Sequence, residues 1–248
     1  MARVRTFAVW LWLVLPLAVL LGAQLGDQPS DIEVQQRLRT SLPKSELVLL
    51  TYVDALRDEG RTHEALESTK DFAVSHPDSE GAHRALLMLH GERGQRNEAL
   101  QAFDELGRLE AVVASDLVAA AVLVQTDDAD LAATNYERAL ELDANNFEAH
   151  ANLATILIGT HRWDAARGHL ARALEISPGS VPALLNLGIL ERRAGRPRIA
   201  IEQFEKVLRL EPSNRLARQL LTEIQQHTSR GRAGTSRRRA GPAPTTTQ

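Results

Sequence analysis

The sequence predicts an all-α chain, an α-solenoid of about five helix-turn-helix units followed by a C-terminal capping helix. Three observations carry that expectation. An alanine recurs at Ala65, Ala99, Ala132, Ala166 and Ala200, at intervals of 34, 33, 34 and 34 residues. Four residues after each alanine stands a second marked position, bulky in most units: Thr69, Phe103, Tyr136, Leu170 and Phe204. Each unit also splits into two stretches whose apolar residues fall three or four apart, the signature of paired amphipathic helices.

The unit from Phe147 to Ser180 shows the pattern most clearly. Its first helix is predicted over Phe147–Gly159, with Ala149, Leu153, Ile156 and Leu157 along one stripe. Gly159-Thr160-His161 breaks the pattern. A second helix follows over Trp163–Ile176, with Ala166, Leu170, Ala173 and Leu174 on its stripe. Ser177-Pro178-Gly179 ends it, because proline cannot continue the backbone ladder and glycine accepts left-handed geometry. Two helices this short cannot bury both faces on each other, so such hairpins need stacked neighbours. In the same register the units are 46–79, 80–112, 113–146, 147–180 and 181–214.

Before the units, Arg3 and Arg5 precede an uncharged stretch from Phe7 to Ala23. It reads as an N-terminal membrane anchor or a signal peptide within residues 1–25. Neither Leu21 nor Gln24 suits the position three before a cleavage site, which favours an uncleaved single-pass anchor. Trp10 and Trp12 lie at its arginine end, where indoles favour the membrane interface. Arginines before it and Asp27, Asp31 and Glu33 after it direct the repeats to the non-cytoplasmic side, the periplasm in a bacterium. The alternative is a secreted or periplasmic protein released by signal cleavage. Residues 26–45 form a linker in which Ser30 or Asp31 caps a short helix carrying Ile32, Val34 and Leu38, ended by Pro43.

Within the array, Pro77, Pro178 and Pro212 end units one, four and five, while Ala144 takes that place in unit three. Gly60, Gly94 and Gly195 share one position in the interhelical turn, where Asp127 and His161 stand in the other two units. After the last unit, residues 215–227 place Leu216, Leu220, Leu221 and Ile224 on one stripe. That suits a capping helix with a polar outer face. From Thr228 to the end, Gly, Ser, Thr, Pro and five arginines leave no apolar period, which reads as a disordered basic tail.

The period and hairpin pattern resemble the tetratricopeptide repeat family. Leu153, Ala154, Ala166, Leu170, Ala173 and Pro178, then Leu187, Gly188, Ala200, Phe204 and Pro212, carry the resemblance. The phrases Tyr136–Asn146 and Phe204–Asn214 resemble the family's helix-B ending. The sequence departs from the family at the fourth position, where Leu49, His83, Asp116, His150 and Leu184 replace tryptophan. Asp116 makes unit three the weakest, expected to be helical but the least tightly packed.

Composition narrows the chemistry. The net charge of −3 gives no global signal for nucleic acid, and the absence of cysteine excludes thiol catalysis and disulfides. No nucleotide-binding loop or metalloprotease motif occurs. His83 and His90 share a helix face, yet no acidic ligand completes a metal set. Asp127, Asp128 and Asp130 resemble the start of a calcium loop but lack its turn glycine and closing glutamate. The expectation is a chain that is not an enzyme and takes no cofactor, catalytic group or metal.

The resemblance implies that first helices line a concave groove through positions two, five, nine and twelve. The partner-binding residues expected there are Leu50, Asp54, Arg57, Arg84, Met88, Leu117, Ala121, Val124, Thr155, Ile158, Leu185, Ile189 and Arg192. An apolar middle with arginines towards the ends suits a peptide or an amphipathic helix. Asn152 and Asn186 match common family asparagines, but no groove lysine accompanies them, which disfavours a carboxylate clamp. The expected function is a protein-protein interaction scaffold at a membrane. The alternative is a structural module that forms a homo-oligomer.

Overall fold

The computed structural model describes residues 31–226. The apolar stretch 7–23 and the arginine-rich tail 228–248 lie outside the described residues. Among the described residues all regular structure is helical: α1 (Asp31–Ser41), α2 (Glu46–Asp58), α3 (Thr62–Ser75), α4 (Glu80–Glu92), α5 (Arg96–Arg108), α6 (Ala114–Val124), α7 (Ala129–Leu142), α8 (Phe147–Gly159), α9 (Trp163–Ile176), α10 (Val181–Arg193), α11 (Pro197–Leu210) and α12 (215–226). On either side of residue 112 helices adjacent in sequence pack on one another, and the fold is an all-α solenoid. None of the described helices is long and apolar enough to cross a membrane. The chain divides into two compact units between Val112 and Val113.

In the first unit α1 packs on α2, α2 on α3, α3 on α4 and α4 on α5. Ile32 of α1 joins Leu49, Val53, Leu56, Leu66 and Phe72 in one core. Arg39 donates to the Ser68 carbonyl at 2.9 Å and lies over the Tyr52 ring. The short N-terminal helix therefore covers the open side of the first hairpin.

In the second unit α6 to α11 pack in sequence order, and α8 also meets α10. Ala217, Leu220 and Ile224 of α12 join Leu184, Ala200, Phe204 and Val207, so α12 closes the last hairpin. Gly188 of α10 sits directly under the Phe204 ring, and a Cβ there would come within 2.5 Å of Phe204 Cε1.

The marker alanines explain the period. Ala65, Ala99, Ala132, Ala166 and Ala200 are all fully buried. A longer side chain at any of these positions would open the close approach of the two helices.

Local signals set the helix ends. Ser45, Ser79, Asn146, Ser180 and Asn214 each accept the backbone N–H of the third residue of the following helix. Unit three lacks such a cap. There the Asp116 carboxylate instead accepts the Val113 N–H at 3.1 Å, and Asp116 is buried. The departure that weakens the sequence pattern is thus a helix-start device.

Gly60, Gly94 and Gly195 adopt φ of 73°, 68° and 74°, and His161 takes the same left-handed geometry at 62°. Each of these turns is closed by a 6→1 bond, such as Arg196 N–H to the Glu191 carbonyl at 2.8 Å. Asp127 does not follow them. Its turn closes with the Asp128 N–H on the Val124 carbonyl, with no left-handed residue.

The fourth position has a role that needs no tryptophan. His83 donates to the Pro77 carbonyl at 2.8 Å, and His150 donates to that of Ala144 at 3.2 Å. Arg218 of α12 donates to the Pro212 carbonyl at 2.6 Å. In each case a side-chain N–H reaches back six residues and ties down the turn between hairpins.

Candidate partner-binding faces

Each unit presents its own first-helix surface. In the first unit Asp54 is exposed, and Leu50, Arg57, Arg84 and Met88 are half-buried. Met88 leans on the core beneath it. Neither arginine offers an unengaged charge. Arg57 binds Glu92 and lies 3.6 Å from Asp54, and the hydrogen bond to Glu92 raises its guanidinium above the ordinary value. Arg84 donates to the Ala111 carbonyl at 2.9 Å, at the end of the second hairpin.

In the second unit Thr155 is exposed, and Leu185, Ile189 and Arg192 are half-buried. Leu185 and Ile189 rest on the core of the last hairpin. Asn186 donates to Thr155 Oγ1 at 3.0 Å, which links α10 to α8. Arg192 pairs with Glu223 of α12 at 3.0 Å. The remaining four positions are closed: Leu117 is 1%, Ala121 0%, Val124 3% and Ile158 6% exposed. A small apolar residue on the inner side of a helix hairpin is as easily buried as offered, and here burial prevails. Among the expected positions of this unit, the open ones lie on α8 and α10.

The polar groups deeper in the structure serve packing. Tyr136 is fully buried and donates to Gln125 at 3.2 Å. Burial pushes its phenol up to about 12, against a hydrogen bond to Asn152 that lowers it. His83 and His90 line a cavity of about 300 Å³ in the first unit. His83 is held by the Pro77 carbonyl and His90 by Gln95 Oε1 at 2.9 Å. Among the described residues no group of three or more His, Asp or Glu is arranged to hold a metal ion. Asp128 caps α7 through the Leu131 N–H at 2.9 Å, and Asp130 lies in that helix's first turn.

Sequence reasoning passed over Glu191. It is 2% exposed, accepts Arg167 Nε at 2.7 Å and lies 2.8 Å from Arg196 Nε. The Arg196 contact is too misaligned for a directed hydrogen bond, and Arg167 Nη2 is buried without an acceptor. The Glu191 bond raises the Arg167 guanidinium. The signal was in the register: Leu56, Leu123 and Leu157 hold that position in other units. A glutamate there has to find cations.

These features are matched in known proteins. Residues 146–212 match the tetratricopeptide repeat family. No curated protein sequence matches the chain. Among solved structures, YrrB, described as a tetratricopeptide repeat protein with an unusual peptide-binding site, aligns with a TM-score of 0.61 at 18% identity. That alignment covers 75% of this chain and 96% of that one. A fragment of MamA from Desulfovibrio magneticus RS-1, residue 41 to its end, aligns with a TM-score of 0.61 at 18% identity, covering 68% of this chain and 97% of the fragment. The Cut9–Hcn1 hetero-tetramer of the APC/C gives 0.68 at 18% identity over 78% of this chain and 39% of that one. At such identities the likeness is one of fold.

Proposed function

We infer that residues 46–214 are a tetratricopeptide array acting as a non-enzymatic scaffold, which takes peptide or amphipathic-helix segments of other proteins on its first-helix faces. In this reading residues 7–23 tether the array to a membrane, with the repeats on the non-cytoplasmic side. The observation that carries the reading is the run of stacked hairpins whose first helices leave side chains open in both units: Leu50, Asp54 and Met88 in one, Thr155, Leu185 and Ile189 in the other. The family match over 146–212 and the peptide-binding site in YrrB's description support it. An apolar surface edged by engaged arginines favours an apolar stripe over a free carboxylate.

The test uses the full chain in cells, with a photo-crosslinker at Asp54, Thr155 or Ile189 and controls at Glu141 and Arg209 on second helices. The expected result is a discrete protein adduct from the first three positions alone, recovered with membranes and released from them when residues 1–25 are removed. Equal adducts from the controls would overturn the binding face. Membrane recovery that survives removal of 1–25 would overturn the tether.

A further inference from the structure

Two imidazoles meet inside the fourth hairpin. His150 of α8 is 7% exposed, and His169 of α9 is half-buried. Their Nδ1 atoms are 2.9 Å apart, with ring centroids at 5.2 Å and planes tilted by 42°. The rings meet through their nitrogens and are not stacked.

Hydrogen-bond chemistry assigns the protons. His150 Nε2 faces the Ala144 carbonyl, which can only accept, so Nε2 carries a hydrogen. In a neutral ring Nδ1 is then bare, and it accepts the Nδ1–H of His169. One nitrogen of the pair remains open, His169 Nε2. A first added proton goes there and leaves the bond between the rings intact. A second proton has only His150 Nδ1, which that bond already occupies. It would set two N–H groups and two positive rings against each other across 2.9 Å.

The geometry points to the His150–His169 pair as a proton-limited latch, tolerant of one proton and opened by a second. Opening parts α8 from α9 and frees the α7–α8 connection that His150 holds through Ala144. The register shows why this hairpin has the device. At the same two positions the other hairpins carry Leu49 and Ser68, His83 and Ala102, Asp116 and Asn135, and Leu184 and Gln203. None of them brings two rings together.

The surroundings set the direction of the pH response. Burial, first, and His150, second, hold the His169 ring below the ordinary histidine value. Glu137 from α7 favours a proton on it, and Arg162 from the α8–α9 turn opposes one. The native state therefore takes up this proton at lower pH than the unfolded chain does. The stability tied to this first proton is complete above the unfolded histidine value of about 6.5 and is lost as pH falls from there through the lower native value, while the bond between the rings persists until the second proton arrives.

The test titrates the full chain from about pH 8 to about pH 5, following the ring nitrogens by NMR and the melting temperature by circular dichroism. The expected result is that the His150 and His169 signals move together in two separated steps, as coupled sites do. In His169→Gln the amide N–H still donates to His150 but does not titrate. The melting temperature of this variant should fall less on acidification than that of the unsubstituted chain, by about 2–4 °C. Independent single steps at the ordinary histidine value, or an equal acid loss in His169→Gln, would overturn the latch. If His169→Gln does not fold, the ring titration of the unsubstituted chain decides alone.

Discussion

The fourth and fifth hairpins have the same length, lie side by side in sequence, and together make up the segment that matches the repeat family. Yet they differ at five positions that shape the structure. Ala154 and Leu170 of the fourth become Gly188 and Phe204 in the fifth, with Leu170 and Phe204 both fully buried. His161 in the turn becomes Gly195, His150 becomes Leu184, and Leu157 becomes Glu191. What the repeat preserves is a filled space between helices. Where the second helix carries an aromatic ring, the first helix gives up its Cβ. The second hairpin shows the converse: with Leu87 opposite in register, Phe103 is only half-buried.

The largest expected effect comes from breaking that exchange of volume one side at a time. Gly188→Ala adds a Cβ within 2.5 Å of the Phe204 ring. It should cost about 1–3 kcal/mol even after the helix gains about 1 kcal/mol from losing a glycine. Phe204→Leu leaves a gap and should cost roughly 1–3 kcal/mol. The double variant rebuilds the fourth hairpin's pair inside the fifth. It should recover part of both losses, with a coupling of about 0.5–2 kcal/mol in a urea-unfolding cycle. Strict additivity would show that the two positions do not share one space.

A smaller effect is expected at Glu191, which stands where three of the other four units carry leucine. Glu191→Gln keeps the shape and the acceptor facing Arg167 but removes the charge between two guanidiniums. Arg167 and Arg196 are 30% and 43% exposed as side chains, so water compensates them in part. The loss should be about 1–2 kcal/mol by urea unfolding, below the value for a wholly buried pair. An unchanged midpoint would show that the carboxylate contributes nothing beyond filling its site.

The hairpin architecture is legible in the sequence because its causes are local. An alanine at each close approach, a proline after three of the five second helices and a serine or asparagine before most first helices are all readable from one chain. The contacts that individualise the hairpins are not local. His150 meets His169 across 19 residues and Glu191 meets Arg167 across 24, and each depends on the rotation of one helix against another. Four of the expected groove residues are closed for a related reason. Positions two, five, nine and twelve name a helix face, but Leu117, Ala121, Val124 and Ile158 are buried on that face while Thr155 is open. Periodicity identifies a direction from the helix axis and carries no information on what lies along it.

The smallest effect sharpens the comparison at the turn. Gly195 and His161 hold the same left-handed backbone, so an exchange of residue type isolates side-chain from backbone terms. A Cβ on Gly195 would meet nothing within 4 Å, so Gly195→Ala should cost only the backbone penalty, about 1–2 kcal/mol. His161→Gly removes a penalty of that size. It also removes the edge-to-face contact with Trp163, at 4.9 Å and 85°, worth about 0.5–1.5 kcal/mol, and it loosens the unfolded chain. These terms nearly cancel, so His161→Gly should leave the melting temperature within about 2 °C of its starting value while Gly195→Ala lowers it clearly. A clear gain from His161→Gly would mean that Trp163 contributes nothing to the turn. A loss as large as that of Gly195→Ala would mean that the ring contact, and not the backbone, holds the fourth hairpin's corner.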